Sequence, residues 1–119
     1  IGIHAHNNQQ CAFANTIEAL SVGVSYLDAT VNGLGRGAGN CMLEGLLGFL
    51  KNPAYKLYPV LKFIEKYMVP LKQSGCVWGY EIPYLITGLL DQHPRTAISA
   101  VAAGETDYVD FYQQHLDRD

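Results

Sequence analysis

Two histidines one residue apart, His4 and His6, are the side chains whose type and spacing speak most directly of chemistry. On an extended strand, positions i and i+2 share one face, about 6.5–7 Å apart. Imidazoles so placed can converge on one divalent cation at about 2.0–2.1 Å each. Asn8 continues the same face if the strand runs that far. The plainer reading is a histidine that caps the next helix or rests satisfied in a core. Position favours the ligand reading, because the pair ends a strand in a βα unit, where α/β folds place their sites.

A second candidate is the loop Asn32-Gly33-Leu34-Gly35-Arg36-Gly37-Ala38-Gly39-Asn40. Glycines at alternate positions leave backbone N–H groups open before a helix N-terminus, so an anion could sit there. It is no Walker loop, since no Gly-Lys-Ser/Thr follows, and Gly-x-Gly-x-x-Gly is absent. The same residues also suit a tight βα turn with Asn40 as N-cap. Asp28 is expected on a strand, with Glu18 and Glu44 on helices, Glu18 as a solvated group. Cys41 and Cys76 lack a catalytic partner and read as buried thiols. Trp78, Tyr80 and Tyr84 form an aromatic group before a helix, for which core packing is the simplest role.

These residues need elements to hold them. Residues 2–6 read as a strand and 8–22 as a helix, with Phe13, Ile17 and Leu20 on one face. Gly23 suits the C′ position of that helix. Tyr26 to Val31 reads as a second, buried strand. Leu43, Leu46, Leu47 and Leu50 mark the next helix. This βαβα rhythm is that of a parallel α/β fold. Two strands cannot make a stable parallel sheet alone, so further strands are expected elsewhere. The opening at Ile1, inside an apolar segment and without an initiator Met, likewise leads us to expect a piece of a longer protein.

Beyond Lys51-Asn52-Pro53 the pattern becomes helical. Leu57, Leu61, Ile64 and Met68 share a face, with Pro59 in the first turn. Pro83 and Pro94 suit the starts of helices over 82–91 and 94–103. Gly104 closes the latter, and Tyr108, Phe111, Tyr112 and His115 suit a last helix. The expected division is residues 1–53 and a helical appendage over 54–119.

Composition narrows the function. The 119 residues are 49% hydrophobic, enough for a core. A net charge of −3 with eight Lys plus Arg argues against nucleic acid. No apolar run reaches the ~18–20 residues that span a bilayer. Three cysteines without metal-type spacing fit a reducing, cytoplasmic setting.

Taken together, Gly2-Ile-His-Ala-His-Asn-Asn, Ala14-Asn-Thr-Ile-Glu-Ala and Leu27-Asp-Ala-Thr-Val-Asn-Gly-Leu-Gly-Arg-Gly-Ala-Gly-Asn resemble the metal-dependent aldolase and lyase superfamily. That superfamily includes 4-hydroxy-2-oxovalerate aldolase, hydroxymethylglutaryl-CoA lyase and isopropylmalate synthase. The likeness is dense over residues 1–50. It implies the last two βα units of a (β/α)8 barrel, followed by a helical C-terminal domain. It also implies that His4 and His6 ligate a divalent cation (Mn, Co, Mg or Zn), joined by Asn40. Gly35, Arg36 and Gly37 would bind substrate, a keto acid such as pyruvate with an aldehyde. The family's aspartate ligand has no counterpart here and is expected upstream, in the remaining barrel of the same protein.

Trp78-Gly-Tyr-Glu-Ile-Pro-Tyr84 is similar to the segment that covers the barrel mouth in the hydroxy-oxovalerate aldolases. There Tyr84 takes the place of a proton-transfer tyrosine. The lyase branch carries a catalytic cysteine in an expanded glycine loop, which Arg36 and Gly37 replace without insertion, so the aldolase branch fits better. His93-Pro-Arg-Thr-Ala97 is similar to aldolase-like proteins of bacterial surface-polysaccharide clusters. The expectation is therefore a lyase acting beside a 2-keto group, inactive as these 119 residues alone. The partners expected are small-molecule substrate and the rest of the barrel, with no nucleic acid or membrane, and a homodimer is compatible. The alternatives are a non-catalytic scaffold domain, and a small hydrolase using His4, His6 and Asp28.

Overall fold

The computed structural model describes residues 1–117, so the last two residues of the expected appendage lie outside it. Strand β1 (Gly2–Ile3) leads through α1 (Ala12–Ser21) to β2 (Tyr26–Leu27). The strands pair in parallel, Gly2 opposite Tyr26 and Ile3 opposite Leu27. This is a βαβ unit, as expected, but with strands far shorter than residues 2–6 and 26–31. Past Ile3 and Leu27 the two segments part, and each takes up a new partner from the end of the glycine loop or the residues just after it. His6 bridges Asn40 in antiparallel sense, and Thr30 bridges Met42 in parallel.

Helix α1 ends as its sequence predicts. Gly23 sits at φ +101° and Val24 N–H returns to Ala19 O at 3.1 Å, a left-handed cap that only glycine adopts without strain. Its start lies later than expected, at Ala12, because residues 8–10 form a turn. Asn7 Oδ1 then accepts the Ala12 N–H at 3.3 Å. Helix α2 (Leu43–Leu50) has Met42, not Asn40, as its N-cap residue. Glu44 in its first turn accepts the Asn32 N–H at 2.9 Å, tying the glycine loop to a helix end that favours negative charge. Ala12, Cys41 and Leu46 form the core here, with Phe13, Ile17 and Leu27 around it.

The second half is helical throughout. Helix α3 (Leu57–Phe63) passes through a wider π turn over Ile64–Met68 into α4 (Val69–Gln73). Pro70 explains the widening. Its ring would strike the carbonyl four residues back, and the ladder relaxes so that Val69 N–H reaches Ile64 O. Helices α5 (Ile82–Leu89), α6 (Arg95–Ala102) and α7 (Tyr108–Leu116) follow the expected segments. They pack around Tyr84, Ile86, Ala97, Ala100 and Phe111. Ala38 of the glycine loop completes that cluster, so the loop is built into the helical core.

Two expectations of burial fail. Tyr26 is 72% exposed, because β2 lies at the edge of a two-stranded sheet with one side uncovered. Cys76 is exposed, as is Cys11, since both lie in short connections rather than on a packed face. Only Cys41 matches the expected buried thiol, and burial pushes its pKa up, with the neighbouring Thr16 side chain opposing. The chain is a slab, 49 × 37 × 18 Å, with a radius of gyration of 16.0 Å. A compact domain of this length would measure about 13.5 Å. Among the described residues no helix is long and apolar enough to cross a membrane.

Two outcomes follow from this packing. Gly39 sits at φ +82°, and a Cβ there would collide with Gly33 O. Gly39→Ala should therefore lose at least ~1–3 kcal/mol of stability in denaturant titration. Gly104→Ala, at φ +69° with open space around it, should lose clearly less; equal losses would contradict the clash. With maleimide under native conditions, Cys11 and Cys76 should be modified while Cys41 reacts only on unfolding. Three native adducts by mass spectrometry would contradict this burial.

Candidate metal centre

The placement of His6 begins with backbone pairing. Asn7 N–H donates to Gly39 O at 3.0 Å, and Cys41 N–H to Ala5 O at 3.3 Å. His6 and Asn40 lie between these two bonds, as a non-hydrogen-bonded antiparallel pair, the kind whose side chains come closest. Their side chains meet accordingly, His6 Nδ1 lying 3.0 Å from Asn40 Oδ1. The amide is oriented from its other end, where Asn40 Nδ2 donates to Leu34 O at 3.1 Å. An amide oxygen only accepts, so His6 Nδ1 carries the hydrogen, and in the neutral ring Nε2 keeps its lone pair.

His4 is treated in the same way by Asp28, the residue just after β2. Its Nδ1 lies 3.2 Å from Asp28 Oδ2, and a carboxylate likewise accepts. In its neutral form His4 thus also carries its hydrogen on Nδ1 and its lone pair on Nε2. The two rings stand 4.9 Å apart between centroids, edge to face at 80°. Two imidazoles, each held through Nδ1 by an oxygen and each with Nε2 available, form the arrangement found at metal sites, where a partner fixes the ligating tautomer. The donor set therefore fits a divalent cation of the Mn, Co or Zn type, which imidazole suits better than it suits Mg. Among the described residues no three His, Cys, Asp or Glu gather as a complete ligand set. Asp28 is thus a partner of His4 and not the third ligand of a self-contained hydrolase centre.

The glycine loop frames this pair. A Cβ at Gly35 would overlap the Asn40 amide nitrogen, so the missing side chain leaves Asn40 free to face His6. A Cβ at Gly37 would come within 3.3 Å of the Tyr84 ring and 3.5 Å of Ile98. The ring of Tyr84 therefore lies on the loop, 2% exposed. Burial, and secondarily the charge of Glu81, raises the phenol's pKa above its ordinary value. Among the described residues Thr30 Oγ1 is the sealed side-chain polar atom left unpaired, so the unbonded Tyr84 hydroxyl keeps access to solvent.

Trp78 is buried and donates its Nε1–H to Asn32 O at 3.0 Å, with Lys72 Nζ 4.7 Å above its ring. Gly79 N–H reaches Gly37 O at 3.0 Å. These bonds make the segment before α5 a strap across the loop and account for Trp78 better than the expected aromatic group does. Arg36 is exposed beside the histidines and makes no ion pair among the described residues. Sequence reasoning named two residues here without their roles. Asp28, grouped with the histidines only in the hydrolase alternative, bonds His4 Nδ1, and His93, quoted only as part of a likeness, reaches the rim from the turn before α6.

The tautomers are directly testable. Histidine ¹⁵N NMR should show His6 with its hydrogen on Nδ1. Asn40→Ala should release it, and so should Gly35→Ala, which adds a methyl group against the amide. An unchanged His6 tautomer in both variants would show that Asn40 does not set it.

Known proteins resemble this chain in sequence and fold. The HMGL-like family profile matches residues 1–62. A 4-hydroxy-2-oxovalerate aldolase of Bacillus thuringiensis is 43% identical over 91 residues, covering 67% of this chain and 27% of that protein. An oxaloacetate decarboxylase of Mycobacterium tuberculosis is 51% identical over 51 residues, covering 43% of this chain and 15% of that protein. The chain thus spans about a quarter or less of the length of these relatives. A crystal structure of the N-terminal domain of a protein from Bacteroides vulgatus, assigned as an aldolase, superposes on 98% of this chain with a TM-score of 0.72. It is 31% identical, and the match covers 37% of that chain. The matched profile takes in both histidines, the glycine loop and Asn40, and the chain belongs to the HMGL-like family.

Proposed function

We propose that this chain is the closing portion of a divalent-metal-dependent aldolase that makes or breaks a C–C bond beside a 2-keto acid. Residues 1–53 would supply the last two βα units of a (β/α)8 barrel. Residues 54–119 would form a helical appendage over its mouth. The thin slab and the uncovered sheet support this reading, because such surfaces need the remaining strands and helices against them. The observation that carries the function is the paired presentation of His4 and His6, each oriented through Nδ1.

In this reading His4 and His6 hold the cation through Nε2, with Asn40 positioning His6 and able to offer its second oxygen lone pair. The bound cation would supply Lewis-acid stabilisation of the negative charge that develops next to the keto group, worth several kcal/mol. Gly35, Arg36 and Gly37 line the approach and bind the substrate. Cleavage passes the proton of the 4-hydroxyl to solvent, breaks the bond between carbons 3 and 4, and releases an aldehyde. The electron pair stays on carbon 3, which must then take up a proton. Tyr84 suits that donation: burial raises its pKa, so the phenol holds its proton across the neutral range. Loss of a carboxyl from a 2-keto acid, the chemistry named for the mycobacterial relative, leaves the same electron pair on carbon 3. Oxaloacetate is therefore a second substrate to try.

The full-length protein with Mn²⁺ should release pyruvate from a 4-hydroxy-2-keto acid, and His4→Ala or His6→Ala should abolish release. The 119 residues alone should not turn over, one carboxylate ligand being expected elsewhere in the barrel. Full activity of either histidine variant, or turnover by the isolated chain, would contradict this reading. Tyr84→Phe keeps the packing and removes the hydroxyl, and should lower kcat by ~10²-fold or more. Because the pKa is raised, loss of the proton donor should limit the wild-type rate only above about pH 10. That limb should vanish in Tyr84→Phe. A variant with wild-type kcat would leave Tyr84 a packing residue.

A further inference from the structure

Next to the two histidines, the barrel-type half and the helical half enclose a cavity of about 300 Å³. Its walls are His6, Asn8, Arg36, His93, Pro94 and Ile98. Arg36 comes from the glycine loop, whereas His93, Pro94 and Ile98 come from α6 and the turn before it. Among the described residues no carboxylate lines this space. Arg36 cannot lose its charge and makes no ion pair among the described residues. His93 Nδ1 accepts the Arg95 N–H at 3.1 Å, so in the neutral ring the hydrogen sits on Nε2. Nε2–H is therefore a donor in either charge state. Pro94 and Ile98 offer apolar surface between these donors.

A second cavity, of about 510 Å³, shares His6 and Asn8 but is lined instead by Asp91 with Gln9, Cys11 and Asn15. The two spaces leaving the histidines thus differ in sign. One carries a guanidinium and an imidazole, the other a carboxylate. A ligand with a negative end is steered into the first.

We propose that the Arg36–His93 cavity is the subsite for the far end of the substrate, the half that leaves as aldehyde, and selects an acidic terminus there. The terminus is a carboxylate or a phosphate at the end of a short chain lying against Pro94 and Ile98. This inference rests on the aldolase reading and deepens it: the helical half contributes selectivity through His93. Arg36 offers two parallel N–H donors to either oxyanion, and His93 Nε2–H adds a third.

The test uses the full-length protein with Mn²⁺ and pyruvate in the direction of bond formation. Succinic semialdehyde carries a carboxylate, glyceraldehyde 3-phosphate a phosphate, and butanal neither. Exchange of the pyruvate methyl hydrogens into D₂O, followed by NMR without aldehyde, tests the aldolase reading by itself. With exchange present, kcat/KM for one of the acidic aldehydes should exceed that for butanal by about tenfold or more. The better of the two identifies the terminus. In Arg36→Met and His93→Leu the ratio of acidic to neutral kcat/KM should collapse toward one. Exchange with no preference for an acidic aldehyde, or a preference that survives both substitutions, overturns the subsite while leaving the aldolase reading intact. Absence of exchange overturns both.

Discussion

The pairing of Ala5–Asn7 with Gly39–Cys41 is the constraint on which the rest of this molecule depends. Two backbone bonds hold it, and between them His6 and Asn40 are forced side by side. The pairing can form only because the glycine loop turns back on itself. Gly33 O accepts the Asn40 N–H at 3.0 Å, in a bend so tight that Gly39 has no room for a side chain. Backbone sterics in the loop thereby decide which nitrogen of a histidine carries its proton. The chemistry of the centre is set by a hydrogen-bond acceptor, and the acceptor is set by glycine.

The same loop joins the two halves. Its inner side, Gly37 and Ala38, packs against Tyr84, Ile98 and the α5–α7 core, while Asn32 and Gly37 accept bonds from Trp78 and Gly79. Its outer side carries Arg36 toward the histidines. A shift of the helical half would move the loop, and with it Asn40 and His6. Elsewhere that half is held by buried polar pairs. His115, 4% exposed, donates from Nδ1 to Phe111 O at 2.8 Å and accepts from the Thr96 hydroxyl at 2.6 Å on Nε2. That network locks α6 against α7 and fixes the base on which His93 and Ile98 stand.

Much of this was legible in the sequence because it is local. The i, i+2 histidines, the leucine periodicity of α2, Gly23 as a left-handed cap and the prolines at the starts of α5 and α6 each act within a few residues. What escaped was set by partners distant in sequence. The strands are cut short because the glycine loop captures His6 and Thr30. Asn40 reads equally well as a helix cap until its antiparallel partner is known. Asp28 meets His4 only through parallel pairing across α1, and Cys76 is exposed because no element covers its turn. Family likeness supplied the ligand roles that spacing left open, whereas the opposed charges of the two cavities required the fold.

The central claim is that His4 and His6 bind one divalent cation through Nε2, each steered by an oxygen on Nδ1. Pulsed electron–nuclear resonance on the Mn²⁺-loaded full-length protein, with ¹⁵N at Nε2 of histidine, measures this most directly. The account predicts two strongly coupled Nε2 nitrogens, falling to one in His4→Gln and to one in His6→Gln. A spectrum without coupled histidine nitrogen, or one unchanged by both substitutions, would contradict it.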